Sequence, residues 1–170
     1  VIAMQDPNPL VAGRGIEQLR GAGITVELMS NAIAAEQLNR GFIKRMSHGL
    51  PWLMIKTAAS LDGGTALHNG ESKWITSEAA RLDVQYLRAK QDVLMTGIGT
   101  VLADDPNLNV RLTSEQLKTD GPLPQPLRVV LDSELRTPAT AKVLGEQGAY
   151  LIYTAQDETA YTDFQPGRVI

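Results

Sequence analysis

The run PWLMIKTAAS, residues 51–60, is apolar almost throughout and shows no polar alternation. A strand with one wet face alternates, whereas a strand covered on both faces does not, so this run predicts a buried strand of an α/β sheet. Lys56 interrupts it. A lysine there either snorkels to solvent or is held as a cation in a polar pocket. Two glycine turns follow, at Gly63–Gly64 and at Gly70, and then Ser72 and Trp74 stand among hydroxyl residues.

The rest of the chain fits the same class. TSEAARLDVQYLRAKQ predicts a helix that Thr76 or Ser77 can cap, with Ala80, Val84 and Leu87 as its apolar stripe. DVLMTG, LRVVLDS and GAYLIYT predict strands, and GTVLADDP a turn or short helix ended by Pro106. Residues 112–126 are polar and proline-rich and predict an exposed loop. Upstream, VIAM and ITVELM predict strands, and GRGIEQLRGAG a helix with Ile16 and Leu19 inward. NAIAAEQLNRGFIKRM predicts one helix with Ala34, Leu38 and Phe42 on a shared face. Residues 1–47 thus run β-α-β-α, too little to bury a core alone. VIAM reads as the tail of a strand and GRVI as the start of one, so a segment of a longer protein is expected.

Charge and composition exclude several functions. The 170 residues carry 16 Lys and Arg against 19 Asp and Glu, a net charge of −3, and no basic run, which argues against a nucleic-acid partner. No apolar stretch approaches the roughly 18 residues of a membrane span, and no signal peptide is present, so a cytoplasmic protein without a membrane partner is expected. The absence of cysteine excludes disulfides and thiolate zinc sites within these residues. His48 and His68 have no metal-ligand spacing and no triad partners, which disfavours hydrolytic nucleophile chemistry. Hydride transfer suits what remains, because the cofactor carries the reactive hydrogen and the protein supplies orientation.

Several residues admit two readings. Gly97-x-Gly99 follows a strand, but Leu102 stands where a dinucleotide fingerprint needs its third glycine. A tight strand-to-helix turn is the simpler account, and the same turn with the Thr100 hydroxyl can receive phosphate or ribose oxygens. Asp104-Asp105-Pro106 reads most simply as a helix stop with two solvated carboxylates. Arg88 and Arg111 read first as surface arginines, yet with Ser72 they are the side-chain types that grip a phosphate. Trp74 is more often core than cofactor platform, and Asp132-Ser133 sits at a strand's C-terminal edge, where α/β sheets bind ligands.

The motifs AMQDPNPLVAGRGIEQLRGAGI, AEQLNRGFIKRM, KTAASLDGGTALHNGESKWITS and GTVLADDPNLNVR, in this order, go beyond generic spacing. Across essentially the whole chain the sequence resembles the bifunctional riboflavin-biosynthesis family, diaminohydroxyphosphoribosylaminopyrimidine deaminase/5-amino-6-(5-phosphoribosylamino)uracil reductase. The resemblance implies an α/β chain in which residues 1–48 are the end of a cytidine-deaminase-like three-layer domain. Residues 49–170 would be the first part of a dihydrofolate-reductase-like domain. The family's zinc ligands would lie outside this segment, so it implies no metal residue here.

Position by position, the resemblance implies that Ser72, Arg88, Leu108 and Arg111 hold a phosphoribosyl pyrimidine substrate. It places Ala58, Trp74, Thr100, Asp104 and Ser133 along an NADPH site, with Ala58 where relatives often carry glycine. Lys56 falls near the meeting point of nicotinamide and substrate, as proton donor or as positioner. A homodimer is a further implication. Two other readings stand beside this one: a free-standing dihydrofolate-reductase-like enzyme, which would not need the first 47 residues, and a non-catalytic nucleotide-binding module.

Overall fold

Three strands, β1 (Val93–Gly97), β2 (Leu127–Leu131) and β3 (Tyr150–Tyr153), pair in parallel in the order β1-β2-β3. They belong to a computed structural model that describes residues 1–145, 148–157, 164 and 168–170. The chain forms two compact units, Val1–Thr57 and Ala58–Ile170.

In the second unit the β-branched and aromatic residues of RVVL and YLIY supply the core. Val130 and Ile152 are fully buried and pack with Val101, Val143 and Tyr150. Flanking hydrogen bonds on both sides make β2 the central strand, and such a strand tolerates continuous burial. The GRVI run adds a single parallel bridge, Ile152 to Val169, while Gly167 lies outside the described residues. Arg128 is buried within β2. Its guanidinium donates to the carbonyls of Gly145 and Gly148, both at 2.7 Å, and to that of Ala149 at 3.5 Å. It has no carboxylate within ion-pair distance among the described residues, and burial pulls its pKa below the ordinary arginine value.

Helix α4 (Glu78–Ala89) forms as expected, and Ser77 is its cap: the Ser77 hydroxyl accepts the Ala80 N–H at 3.2 Å. Its inward stripe differs from the expected one. Val84 and Leu87 are half-buried, Ala80 is exposed, and the buried residue is Gln85. The β1 strand passes directly into α5 (Ile98–Asp104), so the glycine pair is a strand-to-helix turn with Gly97 as N-cap.

Beyond the α4 stripe, the structure departs from the expected elements in three places. Residues 51–60 form no strand, and Leu53 and Ile55 are 71% and 80% exposed. An apolar run becomes a strand only where a neighbour supplies the ladder bonds, and no such neighbour occurs among the described residues. Residues 112–126 are not all exposed loop. Thr113 and Gln116 form a capping box that opens α6 (Ser114–Leu117), and Leu112 and Pro126 are buried at the two ends.

The third departure is in the first unit. Its β-α-β-α pattern reduces to one parallel bridge, Ile2 to Leu28, beside α1 (Arg14–Gly21), α2 (Ile33–Leu38) and α3 (Arg40–His48). Ile16 of α1 is buried as expected, whereas Leu19 is exposed. The single helix expected over 31–46 is broken at Asn39, whose amide donates back to the Ala35 carbonyl at 2.8 Å. The break resets the helical phase, and Ala34, Leu38 and Phe42 are all exposed. Trp52 lies against α3, with the Arg40 and Lys44 cations 5.1 and 5.6 Å from its ring centre.

Candidate functional site

The last turn of α4 carries Arg88, half-buried, whose guanidinium donates to the Asn109 carbonyl at 3.3 Å. Three residues earlier, and so on the same helix face, the Gln85 side-chain oxygen accepts the Arg111 N–H at 3.0 Å. From another side the Gln125 amide pairs twice with Val110, accepting its N–H at 3.0 Å and donating to its carbonyl at 3.1 Å. Side chains thus take up the backbone of residues 109–111 as a strand partner would.

The turn before this segment is conformationally costly. Asp105 and Leu108 have φ of 42° and 50°, the left-handed region, which costs a residue with a side chain about 1–2 kcal/mol. Leu108 is held there by packing on the core. Asp105, the C-cap of α5, is held by Lys142: its carboxylate accepts the Lys142 N–H at 2.8 Å and lies 3.0 Å from the ammonium. The backbone bond first, and the lysine side chain second, lower the Asp105 pKa below the ordinary carboxylate value. Asp105 is therefore an anchored carboxylate, which corrects the expectation that both acids of the Asp-Asp-Pro stop are merely solvated. Asp104 is exposed.

Arg88 and Arg111 share one electrostatic environment. Burial, and then the positive charge of Arg111, pull the Arg88 guanidinium below its ordinary pKa. Neither arginine has a carboxylate within ion-pair distance among the described residues. Two neighbouring cations with no ion-paired carboxylate among the described residues favour a polyanion electrostatically.

The remaining candidates fall in smaller groups. The register aligns Gly97, Leu131 and Tyr153 in one row at the C-terminal edge of the sheet. Thr100, on α5, and Ser133 follow that row, and both are exposed. The Ser133 carbonyl accepts the Ala155 N–H at 3.1 Å and the Thr154 hydroxyl at 3.2 Å, so the exits of β2 and β3 are tied together. Beneath Ser133 the buried Asp132 carboxylate accepts both the N–H and the hydroxyl of Thr137 at 2.7 Å.

Trp74 is 71% exposed, not core, and the Arg81 guanidinium lies 4.3 Å from its ring centre while donating to the Thr76 carbonyl at 2.6 Å. Ser72 is half-buried just beyond the Gly70 turn, where Gly70 has φ of 84° and donates to the Leu67 carbonyl at 2.8 Å. The earlier turn closes through Ser60 and Gly64, and the Ser60 hydroxyl lowers the Asp62 pKa. Ala58, half-buried, begins the second unit; Lys56, exposed, lies in the first.

The structure therefore joins Arg88, Arg111 and the Leu108 turn, and separately sets Thr100 and Ser133 along the sheet edge. Sequence reasoning missed Gln85, Gln125 and Arg81. Gln85 carries one faint signal, its position three residues before Arg88 on one helix face. Gln125 carries none.

Comparison with known proteins gives a consistent result. Residues 51–168 match the RibD C-terminal domain family. The chain is 48% identical over 173 residues to riboflavin biosynthesis protein RibD of Haemophilus influenzae, covering 96% of this chain and 46% of the relative. Against its Escherichia coli K12 counterpart the identity is 45% over 164 residues, with 94% and 45% covered. Among solved structures, Acinetobacter baumannii RibD (form 1) superposes with a TM-score of 0.78 at 42% identity, covering 96% of this chain and 47% of that one. A Thermotoga maritima diaminohydroxyphosphoribosylaminopyrimidine deaminase/5-amino-6-(5-phosphoribosylamino)uracil reductase gives 0.80 at 34% identity, with 92% and 42% covered. The chain spans about half the length of the relatives it matches.

Proposed function

This chain belongs to the RibD C-terminal domain family, and on that premise we propose that it carries the reductase part of a bifunctional riboflavin-biosynthesis enzyme. The substrate is a phosphoribosylamino pyrimidine, whose ribosyl group is reduced to the ribitylamino product. The single observation that supports this reading best is the arginine pair with no ion-paired carboxylate among the described residues, which suits the substrate's phosphate.

In this reading Arg88 and Arg111 neutralise the phosphate, and the Ser72 hydroxyl donates a hydrogen bond to it. Leu108 sets the wall of the sugar pocket through its constrained backbone. The residues also fit a nicotinamide dinucleotide: an exposed aromatic ring at Trp74, and exposed hydroxyls of Thr100 and Ser133 at the C-terminal edge of a parallel sheet. Ala58 and Asp104 complete that set. NADPH, when bound, supplies the hydride for ribose C1. Lys56 orients the sugar or donates a proton as its ring opens to an imine.

The zinc-dependent deamination of the pyrimidine belongs to residues outside this segment. The sequence has no cysteine, and no group of three His, Cys, Asp or Glu converges among the described residues. We place the boundary between the deaminase remainder and the dihydrofolate-reductase-like part at 48/49, a reading supported by the family match beginning at Pro51. The proposal includes a cytoplasmic location and a homodimer. Among the described residues, no helix is long and apolar enough to cross a membrane.

The test is NADPH oxidation by the full-length enzyme encoded by the reading frame that contains this chain. Turnover of the phosphoribosylamino pyrimidine, with a large loss of kcat/KM for the same substrate lacking its phosphate, is the expected outcome. Equal turnover of both would overturn the phosphate assignment, and no turnover of either would overturn the reductase reading.

A further inference from the structure

The double pairing of Gln125 with Val110 gives a side chain the work of a neighbouring strand. Four of the six backbone groups of residues 109–111 take side-chain partners: the Asn109 carbonyl, both groups of Val110 and the Arg111 N–H. Arg88 takes the first, Gln125 the next two and Gln85 the last. Asn109 and Val110 are buried, so water is a poor substitute for these partners. The Gln125 stem is itself wedged. Gly148, at φ 97°, approaches so closely that a Cβ there would lie 3.1 Å from the Gln125 Cβ. Pro126, the next residue, is buried at the entrance to β2.

We propose that Gln125, with Gln85, is a positioning residue for the anion site: it fixes the 109–111 backbone so that Arg111 stands beside Arg88. The proposal rests on the phosphate reading given above. Both Gln125 hydrogen bonds end on the Val110 backbone and neither on an arginine side chain. It acts through the Val110 peptide, one residue from Arg111 and two from Leu108. Its loss therefore loosens the arginine spacing while leaving both charges in the protein. None of these four bonds involves Trp74, Thr100 or Ser133.

The experiment compares the full-length enzyme with Gln125→Ala, Gln125→Glu and Arg111→Ala, measuring KM for the phosphoribosyl substrate, KM for NADPH, kcat and thermal midpoint. Gln125→Glu keeps the stem and an acceptor for the Val110 N–H, replaces the donor to the Val110 carbonyl with an oxygen and adds a negative charge, so it is read beside the alanine variant and serves if that variant does not fold. Both Gln125 variants are expected to raise the substrate KM about tenfold, as fits one lost buried hydrogen bond transmitted to the site. NADPH KM and kcat are expected to stay within about twofold. An unchanged substrate KM in Gln125→Glu, beside a raised one in Arg111→Ala, overturns the positioning role and leaves the phosphate reading standing. Both KM values rising together with a fall in kcat shows general damage and also overturns it. An unchanged substrate KM in Arg111→Ala removes the phosphate reading itself, and this inference with it.

Discussion

Arg111 stands near enough to Arg88 for its charge to depress the Arg88 pKa, second only to burial, and no carboxylate among the described residues intervenes as an ion-pair partner. Such a pair costs repulsion, which an anion bound between the two guanidiniums would offset. Arg111→Ala is expected to weaken binding of the phosphorylated substrate by about 10- to 100-fold, the worth of one charge-assisted contact. The check is kcat/KM against ionic strength: a steep fall for the parent enzyme and a shallower one for the variant.

Trp74 offers a second test. Its ring is capped on one face by Arg81, a contact worth about 0.5–1 kcal/mol at an exposed site. Trp52 is the other tryptophan in the sequence, so a Trp52→Phe background isolates the Trp74 emission. NADPH is expected to quench it, and Arg81→Gln is expected to weaken quenching by less than an order of magnitude. Quenching that survives Trp74→Phe would show that the signal arises elsewhere.

Asp105 gives a pH dependence with a definite sign. Its folded pKa is lowered, so its contribution to stability is present above the unfolded carboxylate value near 3.8 and is lost as pH falls through the folded value. The largest cause is the Lys142 backbone N–H, which survives substitution of the side chain. Lys142→Ala is therefore expected to raise the Asp105 pKa only part of the way to its ordinary value. Carboxyl chemical shifts followed below pH 5 measure this.

Asp132 and Thr137 make a stability test away from charge on the surface. Both Thr137 donors end on one buried carboxylate oxygen. Asp132→Ala leaves a buried N–H and hydroxyl without their acceptor and is expected to destabilise by about 2–4 kcal/mol. Thr137→Val removes only the hydroxyl donor and is expected to cost about 1–2 kcal/mol. Thermal unfolding with matched ligand concentration distinguishes the two.

Local rules made much of the second unit legible. A hydroxyl before a helical stripe marked Ser77 as a cap, and β-branched runs marked β2 and β3. The 51–60 run was not legible as it stands in the structure, because a strand is a property of two chains of peptide groups and the sequence of one does not contain its neighbour. The helix break at Asn39 was missed because Asn39 bonds a carbonyl that periodicity ignores.

At the candidate site, Arg88 and Arg111 were legible as residue types. Their spacing did not pair them; only the family resemblance set them at one substrate. Gln85 and Gln125 were illegible for a related reason: a side chain that replaces a strand neighbour leaves no periodic trace.

Arg128 is walled in by carbonyl oxygens, 1% exposed, while Arg111 is exposed. The two guanidiniums therefore differ in chemical reactivity rather than in charge. A dicarbonyl reagent such as phenylglyoxal attacks the free guanidinium face, so in the native protein it should label Arg111 and spare Arg128. Mass spectrometry of the digested protein would then test whether an added phosphate ligand protects Arg111, with Arg128 as an internal gauge of whether the fold was intact.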